Sequence, residues 1–144
     1  LENLNNTLEK DAQFGLLLAL EIVAVTGKNL SEYLDALYAE FGRLYPTRSG
    51  FEVDKSLVGA PLVAKVHAIA KLGEPGMKIM VGDKEKEVKD LLTLDGVKII
   101  FTDDSWMLIR PSGTEPKVRI YTECRAPEEK DAMFESAKAL FFKE

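Results

Sequence analysis

The chain has 144 residues, 46% of them hydrophobic and 30% charged, and carries a net charge of −5. That length suits one ordinary domain, or a small domain with part of another, and the composition excludes disorder as the overall state. The acidic balance argues against non-specific nucleic-acid binding, so an anion recognised here must meet a local cluster of cations.

One cysteine, Cys124, cannot form an intramolecular disulfide, and no paired Cys/His spacing suggests zinc. A reducing, cytoplasmic setting is expected. The chain opens Leu1-Glu2 without an initiator Met, which reads as a piece cut from a longer protein. No signal peptide is expected, and the apolar run Phe14 to Val25 is too short to span a bilayer and contains Glu21, so no membrane is expected as a partner.

Asp11 to Val25 lacks β-alternation, is rich in helix formers and stops at Thr26-Gly27, which predicts a helix apolar around most of its circumference. Leu30, Tyr33, Leu34, Leu37, Tyr38 and Phe41 recur at helical spacing, with Asn29 and Glu32 as a capping box and Gly42 as the stop. Two such helices without a strand to pack on read as the end of a layered α/β domain, over residues 1–44. Tyr45 to Gly50 is turn-rich, so 45–54 is expected to be a linker or hinge, with a short strand within Phe51–Asp54.

Residues 55–144 are predicted to form a small α+β domain, an antiparallel sheet of about four strands covered by helices. Ser56 to Leu72 reads as a helix, with Pro61 near its start and Gly73 behind it. Strand-like runs follow at Lys78–Val81, Glu87–Leu94, Val97–Phe101, Trp106–Arg110 and Lys117–Glu123, with turns expected at Asp95-Gly96 and Asp103-Asp104. Pro127, Glu128 and Glu129 open a last helix with an apolar stripe of Met133, Phe134, Ala137, Leu140 and Phe141.

The chemistry concentrates between the last two strands. Arg110 enters and Arg119 follows a loop holding Ser112, Gly113 and Thr114. Backbone N–H groups, two hydroxyls and two guanidinium forks together suit a phosphate, and a planar fork can bind two oxygens at once. If Arg110 pairs with Lys117, the cations share one face and Met107, Ile109, Val118 and Ile120 share the other. Turn chemistry alone would also account for the loop, Arg119 could instead pair with Glu115 or Glu123, and Lys117 reads as a solvated edge charge. His67 reads as a surface or packing residue, Cys124 as a small buried hydrophobe, and Trp106 and Tyr121 as a cross-strand pair or a stacking surface for sugar.

The segment Arg110-Pro111-Ser112-Gly113-Thr114-Glu115-Pro116, followed by Arg119, resembles the phosphate-binding loop of the α-D-phosphohexomutases. Asp95-Gly96-Val97-Lys98 and Asp104-Ser105-Trp106 resemble that family's approach to the loop, and Lys10-Asp11-Ala12 leading into Leu16–Ala24 resembles the end of its third domain. The resemblance implies the carboxy-terminal region of a mutase that interconverts hexose 1-phosphate and hexose 6-phosphate through a hexose 1,6-bisphosphate. It implies that Arg110, Ser112, Gly113 and Thr114 contact the non-transferring phosphate, with Arg119 close by. The family's phosphoserine segment, its Mg²⁺ loop and its sugar-reading segment have no counterpart here, so no catalytic or metal residue is assigned and the chain alone is expected to be inactive. The expected partners are a phosphorylated hexose and the missing amino-terminal domains, with self-association through residues 12–25. A stand-alone anion-binding module and a structural interaction piece are the alternative readings.

Overall fold

The computed structural model describes residues 11–143, and the chain divides between Arg43 and Leu44 into two compact units. Lys10 lies outside the described residues.

The first unit holds two helices. Helix α1 (Ala12–Thr26) begins where the Asp11 carboxylate accepts the Phe14 N–H at 2.8 Å, and ends at Gly27 in the left-handed conformation. Helix α2 (Leu30–Phe41) starts with the reciprocal box expected of Asn29 and Glu32, at 3.0 and 2.9 Å. These side-chain bonds satisfy N–H groups that a helix start otherwise leaves unpaired. Helix α1 buries none of its residues, and Leu16, Leu17, Leu20 and Val25 are all more than half exposed. Among the described residues no single helix is long and apolar enough to cross a membrane.

The second unit is an α+β fold. Strands β1 (Tyr45–Glu52), β2 (Lys78–Val81), β3 (Lys84–Leu92), β4 (Val97–Phe101), β5 (Trp106–Pro111) and β6 (Lys117–Cys124) form one antiparallel sheet in the order β1-β6-β5-β4-β3-β2. Helices α3 (Ala60–Ala68) and α4 (Lys130–Phe142) cover its inner face. Leu62 and Val66 of α3, and Met133, Ala137 and Phe141 of α4, meet Val97, Ile99, Phe101, Met107, Ile109, Val118 and Ile120 in one core. Each of these side chains other than Ala137 contributes about 1.5–3 kcal/mol when fully removed from water.

The sheet has six strands where about four were expected, and the largest difference is at its edge. Tyr45 to Gly50 forms most of β1 and pairs with β6, so it is not a turn-rich linker. Pro46, Ser49 and Gly50 look like turn residues, yet an edge strand is where a sheet accommodates proline, and glycine admits a close neighbour. Gly50 lies opposite Arg119, where a Cβ would stand 2.5 Å from the Val118 carbonyl oxygen. The expected helix over Ser56–Leu72 is also interrupted. Short 3₁₀ turns at Lys55–Leu57 and Ile69–Leu72 flank α3, because Gly59 (φ +73°) turns the chain and Pro61 then starts the helix afresh. Strand β3 begins at Lys84, earlier than the pattern suggested, after a turn at Gly82 (φ +64°).

Candidate anion site

The β5–β6 hairpin runs through the middle of the sheet, and alternation sorts its side chains. Met107, Ile109, Val118 and Ile120 are fully buried, as their uniform apolarity requires. The pairing differs by two residues from the one considered from sequence, because Arg110 stands opposite Arg119, not Lys117. A slip of two keeps every side chain on its face, whereas a slip of one would have inverted a strand. Trp106, Leu108 and Arg110 therefore share the open face with Lys117, Arg119 and Tyr121.

Two arginines directly opposite each other repel, an arrangement that destabilises a sheet by itself. Each leans on a carboxylate at the surface. Arg110 Nε is 3.0 Å from Asp95, and Arg119 Nη2 is 3.3 Å from Glu115. Both pairs are well exposed, so each contributes about 1 kcal/mol at most. The open face is otherwise rich in cations. Lys98 sits 4.0 Å from the centre of the Trp106 ring, and Arg48 lies over the Tyr121 ring at 5.3 Å. Trp106 is held in turn by an Nε1–H bond to Glu123 at 2.8 Å.

The loop tip follows from the hairpin. The Ser112 N–H donates to the Lys117 carbonyl at 2.9 Å, and the Lys117 N–H donates to the Glu115 carbonyl at 2.8 Å. Ser112 is buried while Gly113, Thr114 and Glu115 are exposed. Gly113 is not among the glycines with positive φ, and a Cβ there would meet nothing within 4 Å. Its bareness therefore leaves open space at the tip and does not serve a strained turn. Arg110 and Arg119 thus stand side by side, with Ser112 at the foot of the loop and Gly113 and Thr114 at its outer rim.

Glycines flank the arginine pair on both sides. Gly50 is the register partner of Arg119, and Gly96 (φ +98°) would place a Cβ 3.0 Å from the Arg110 Cα. Arg48 belongs to the same open face but was not read from sequence, since it fell in the expected linker, while Lys117, expected there as a solvated edge charge, is on that face in an interior strand. An alternating reading of Pro46, Arg48 and Gly50 against Thr47, Ser49 and Phe51 was the available signal.

A second polar cluster gathers around Lys86. Lys86 is 8% exposed, and its ammonium donates to Asp103, to Glu129 at 2.9 Å and to Ser105 at 3.3 Å. Burial pushes the Asp103 and Glu129 carboxyls up, but the hydrogen bonds from Lys86, with Ser105 or Lys84, outweigh it and hold both below their ordinary values. Burial likewise lowers Lys86, and its two carboxylate partners more than reverse this. A fully satisfied buried cation of this kind ties elements together. Cys124 is buried and its thiol is pushed up by burial, consistent with packing. Among the described residues no three His, Cys, Asp or Glu side chains gather as metal ligands.

Residues 60–139 match the family of phosphoglucomutase/phosphomannomutase C-terminal domains. A protein of Methanosphaera stadtmanae named "Probable phosphoglucosamine mutase" is 40% identical over 119 residues, covering 79% of this chain and 22% of its own length. A "Phosphoglucomutase/phosphomannomutase" of Thermococcus kodakarensis is 38% identical over 111 residues, 76% of this chain and 19% of its own. A crystal structure from Thermus thermophilus, provisionally named a phosphomannomutase, aligns over 94% of this chain and 23% of its own at 28% identity and a TM-score of 0.54. The chain thus spans about a fifth of the length of the curated relatives it matches over most of its own. It belongs to the phosphoglucomutase/phosphomannomutase C-terminal domain family.

Proposed function

We propose that this domain holds the phosphoryl group of a phosphorylated hexose for a larger phosphomutase, through Arg110, Ser112, Gly113, Thr114 and Arg119. The observation that carries the reading is the direct juxtaposition of Arg110 and Arg119 across β5 and β6. Like charges so placed lose stability until an anion neutralises them, and a dianion accepts hydrogen bonds from both forks. The weak surface pairs to Asp95 and Glu115 are readily exchanged for such a ligand.

Binding to the domain alone is expected to be weak, on the order of millimolar. Charge-assisted bonds contribute roughly 1.5–3 kcal/mol each before ordering costs, and the loop tip is open to water. In the proposed enzyme the reaction passes a phosphoryl group between the 1- and 6-positions of the sugar through a bisphosphate. The clamp holds whichever phosphate is not reacting, a positioning role that reads a dianion and little else. The nucleophile, the Mg²⁺ and the sugar-reading groups are assigned to other parts of the mutase, and its setting to the cytoplasm. Tyr45–Gly50, expected from sequence as a linker or hinge, lies within β1.

Titrating the chain with glucose 6-phosphate while following amide shifts tests the clamp. The Ser112, Gly113 and Thr114 amides should move with saturation near millimolar, glucose should leave them unmoved, and Arg110→Ala should abolish the response. Equal shifts with glucose, or an unaffected variant, would reject it. Incubated with glucose 1-phosphate and a bisphosphate activator, the chain alone should give no product above the blank.

A further inference from the structure

We propose that the lysine-rimmed apolar groove along α4 is a docking site for an acidic amphipathic helix of a partner protein. The groove lies on the helix-covered side of the sheet and contains none of the clamp residues, which belong to the hairpin and its open face.

Two hollows make up the groove. One, of about 310 Å³, lies between α4, the end of α3 and the 3₁₀ turn that follows it. The other, of about 270 Å³, lies between α4 and β2. Leu72, Leu140 and Lys143 line both, so the hollows are continuous. Along α4 and its C-terminal cap, Ser136, Ala139, Leu140 and Lys143 recur at i, i+3, i+4 and i+7, a single stripe about 10 Å long. That length matches two turns of a partner helix. Ala139 is small and exposed, which lets another backbone come close. Met77 and Met80, 39% and 54% exposed, give the far end a flexible apolar surface that adapts to what covers it.

Charge selects the occupant. Lys65, Lys71 and Lys143 rim the first hollow and Lys78 the second, and neither lining includes a carboxylate, in a chain whose net charge is −5. Lys78 pairs with Glu85, but Lys65, Lys71 and Lys143 form no ion pair with a carboxylate among the described residues. The Lys65 ammonium lies 4.9 Å from the centre of the Phe141 ring, so its stem covers the apolar floor while its charge stays at the rim. Unpaired lysines around an apolar floor complement glutamates that flank an apolar helical stripe. Addition of a strand is the poorer fit. Strand β2 is a sheet edge, but the Ser136 hydroxyl donates to the Met80 carbonyl at 2.6 Å and so occupies an acceptor that an added strand would need. Two turns of helix bury less than the roughly 1,200 Å² of a small stable interface, which makes the contact weak and salt-sensitive.

Fluorescence anisotropy of a labelled peptide, titrated with the 144-residue chain, tests the groove. The probe is a helix of about 14 residues, roughly 20 Å, with leucine at every third or fourth position and glutamate at the rest. A second peptide scrambles the same composition. The ordered peptide should bind with a Kd on the order of 0.1 mM at low salt and about tenfold more weakly near 0.5 M salt, and the scrambled one should not bind. Lys65→Gln, Lys71→Gln and Lys143→Gln together should weaken binding at least about tenfold. Ala139→Glu, at an exposed position, should abolish it, while Lys28→Gln, Lys55→Gln and Lys89→Gln together should leave it unchanged. Failure of the ordered peptide to bind overturns the proposal, as does equal binding of the scrambled peptide. A response that survives both groove variants, or that is lost in the Lys28/Lys55/Lys89 control, also overturns it. Vesicles of phosphatidylcholine and phosphatidylglycerol that capture the chain but not the triple-lysine groove variant would assign the groove to a membrane surface. Self-association that disappears in that variant would assign it to a second copy, and either result rejects the partner helix.

Discussion

Gly96 and Gly113 look alike in sequence but differ in what the backbone asks of them. Gly96 has a φ of +98°, and a Cβ there would lie 2.4 Å from the Ile109 carbonyl oxygen. Gly113 has neither constraint. Gly96→Ala is therefore expected to destabilise the domain by about 3 kcal/mol, while Gly113→Ala stays within about 0.5 kcal/mol, measured by urea unfolding. Thr122 shows the opposite case, a residue whose replacement should help. It faces Thr47 across β1 and β6, and both hydroxyls are buried without a hydrogen-bond partner. Thr122→Val keeps the shape and removes the unpaired group, so the urea midpoint should rise by an amount equivalent to about 1 kcal/mol. Arg110, Ser112 and Arg119 were legible as a group because residue type alone implied anion chemistry. Arg48 was not, since its placement depends on a strand that pairs with β6, more than sixty residues away in the chain.

Among elements, the Lys86 cluster joins β3, the turn after β4 and the start of the last helix through one ammonium. The salt bridge Lys84–Glu129 at 2.9 Å adds a second, exposed link. Lys86→Met strands two carboxylates and should destabilise by about 3 kcal/mol, the lower end for a broken buried pair, because Asp103 remains 43% exposed. The cluster also sets a pH window. Asp103 and Glu129 are held below their ordinary values, so their contribution is full above about pH 4.5 and is lost as pH falls through the folded values. Lys86 is raised, so its contribution is full below about pH 10.4 and is lost as pH rises through its folded value. The cluster's contribution to the thermal midpoint should be constant between these limits and fall outside them, and Lys86→Met should flatten the acid side. Sequence alternation could not disclose this cluster, because a lysine at an inward position reads as a register error until its partners are known.

At the scale of the whole chain, the exposed apolar helix α1 contrasts with the closed core of the second unit. Such a surface favours association, and light scattering on the purified chain should report dimers or larger species. Replacing Leu16, Leu17 and Leu20 by Glu should return it to a monomer.

The sequence alone determined the two capped helices, the strands from Val97 onward and the loop between the arginines, because capping, alternation and turn chemistry are local. Tertiary structure alone decided that Tyr45–Glu52 is a strand, that Arg110 faces Arg119, and that Lys86 is buried among carboxylates. Each of these depends on which distant strand supplies the neighbour, and periodicity within one segment fixes a face but not a partner.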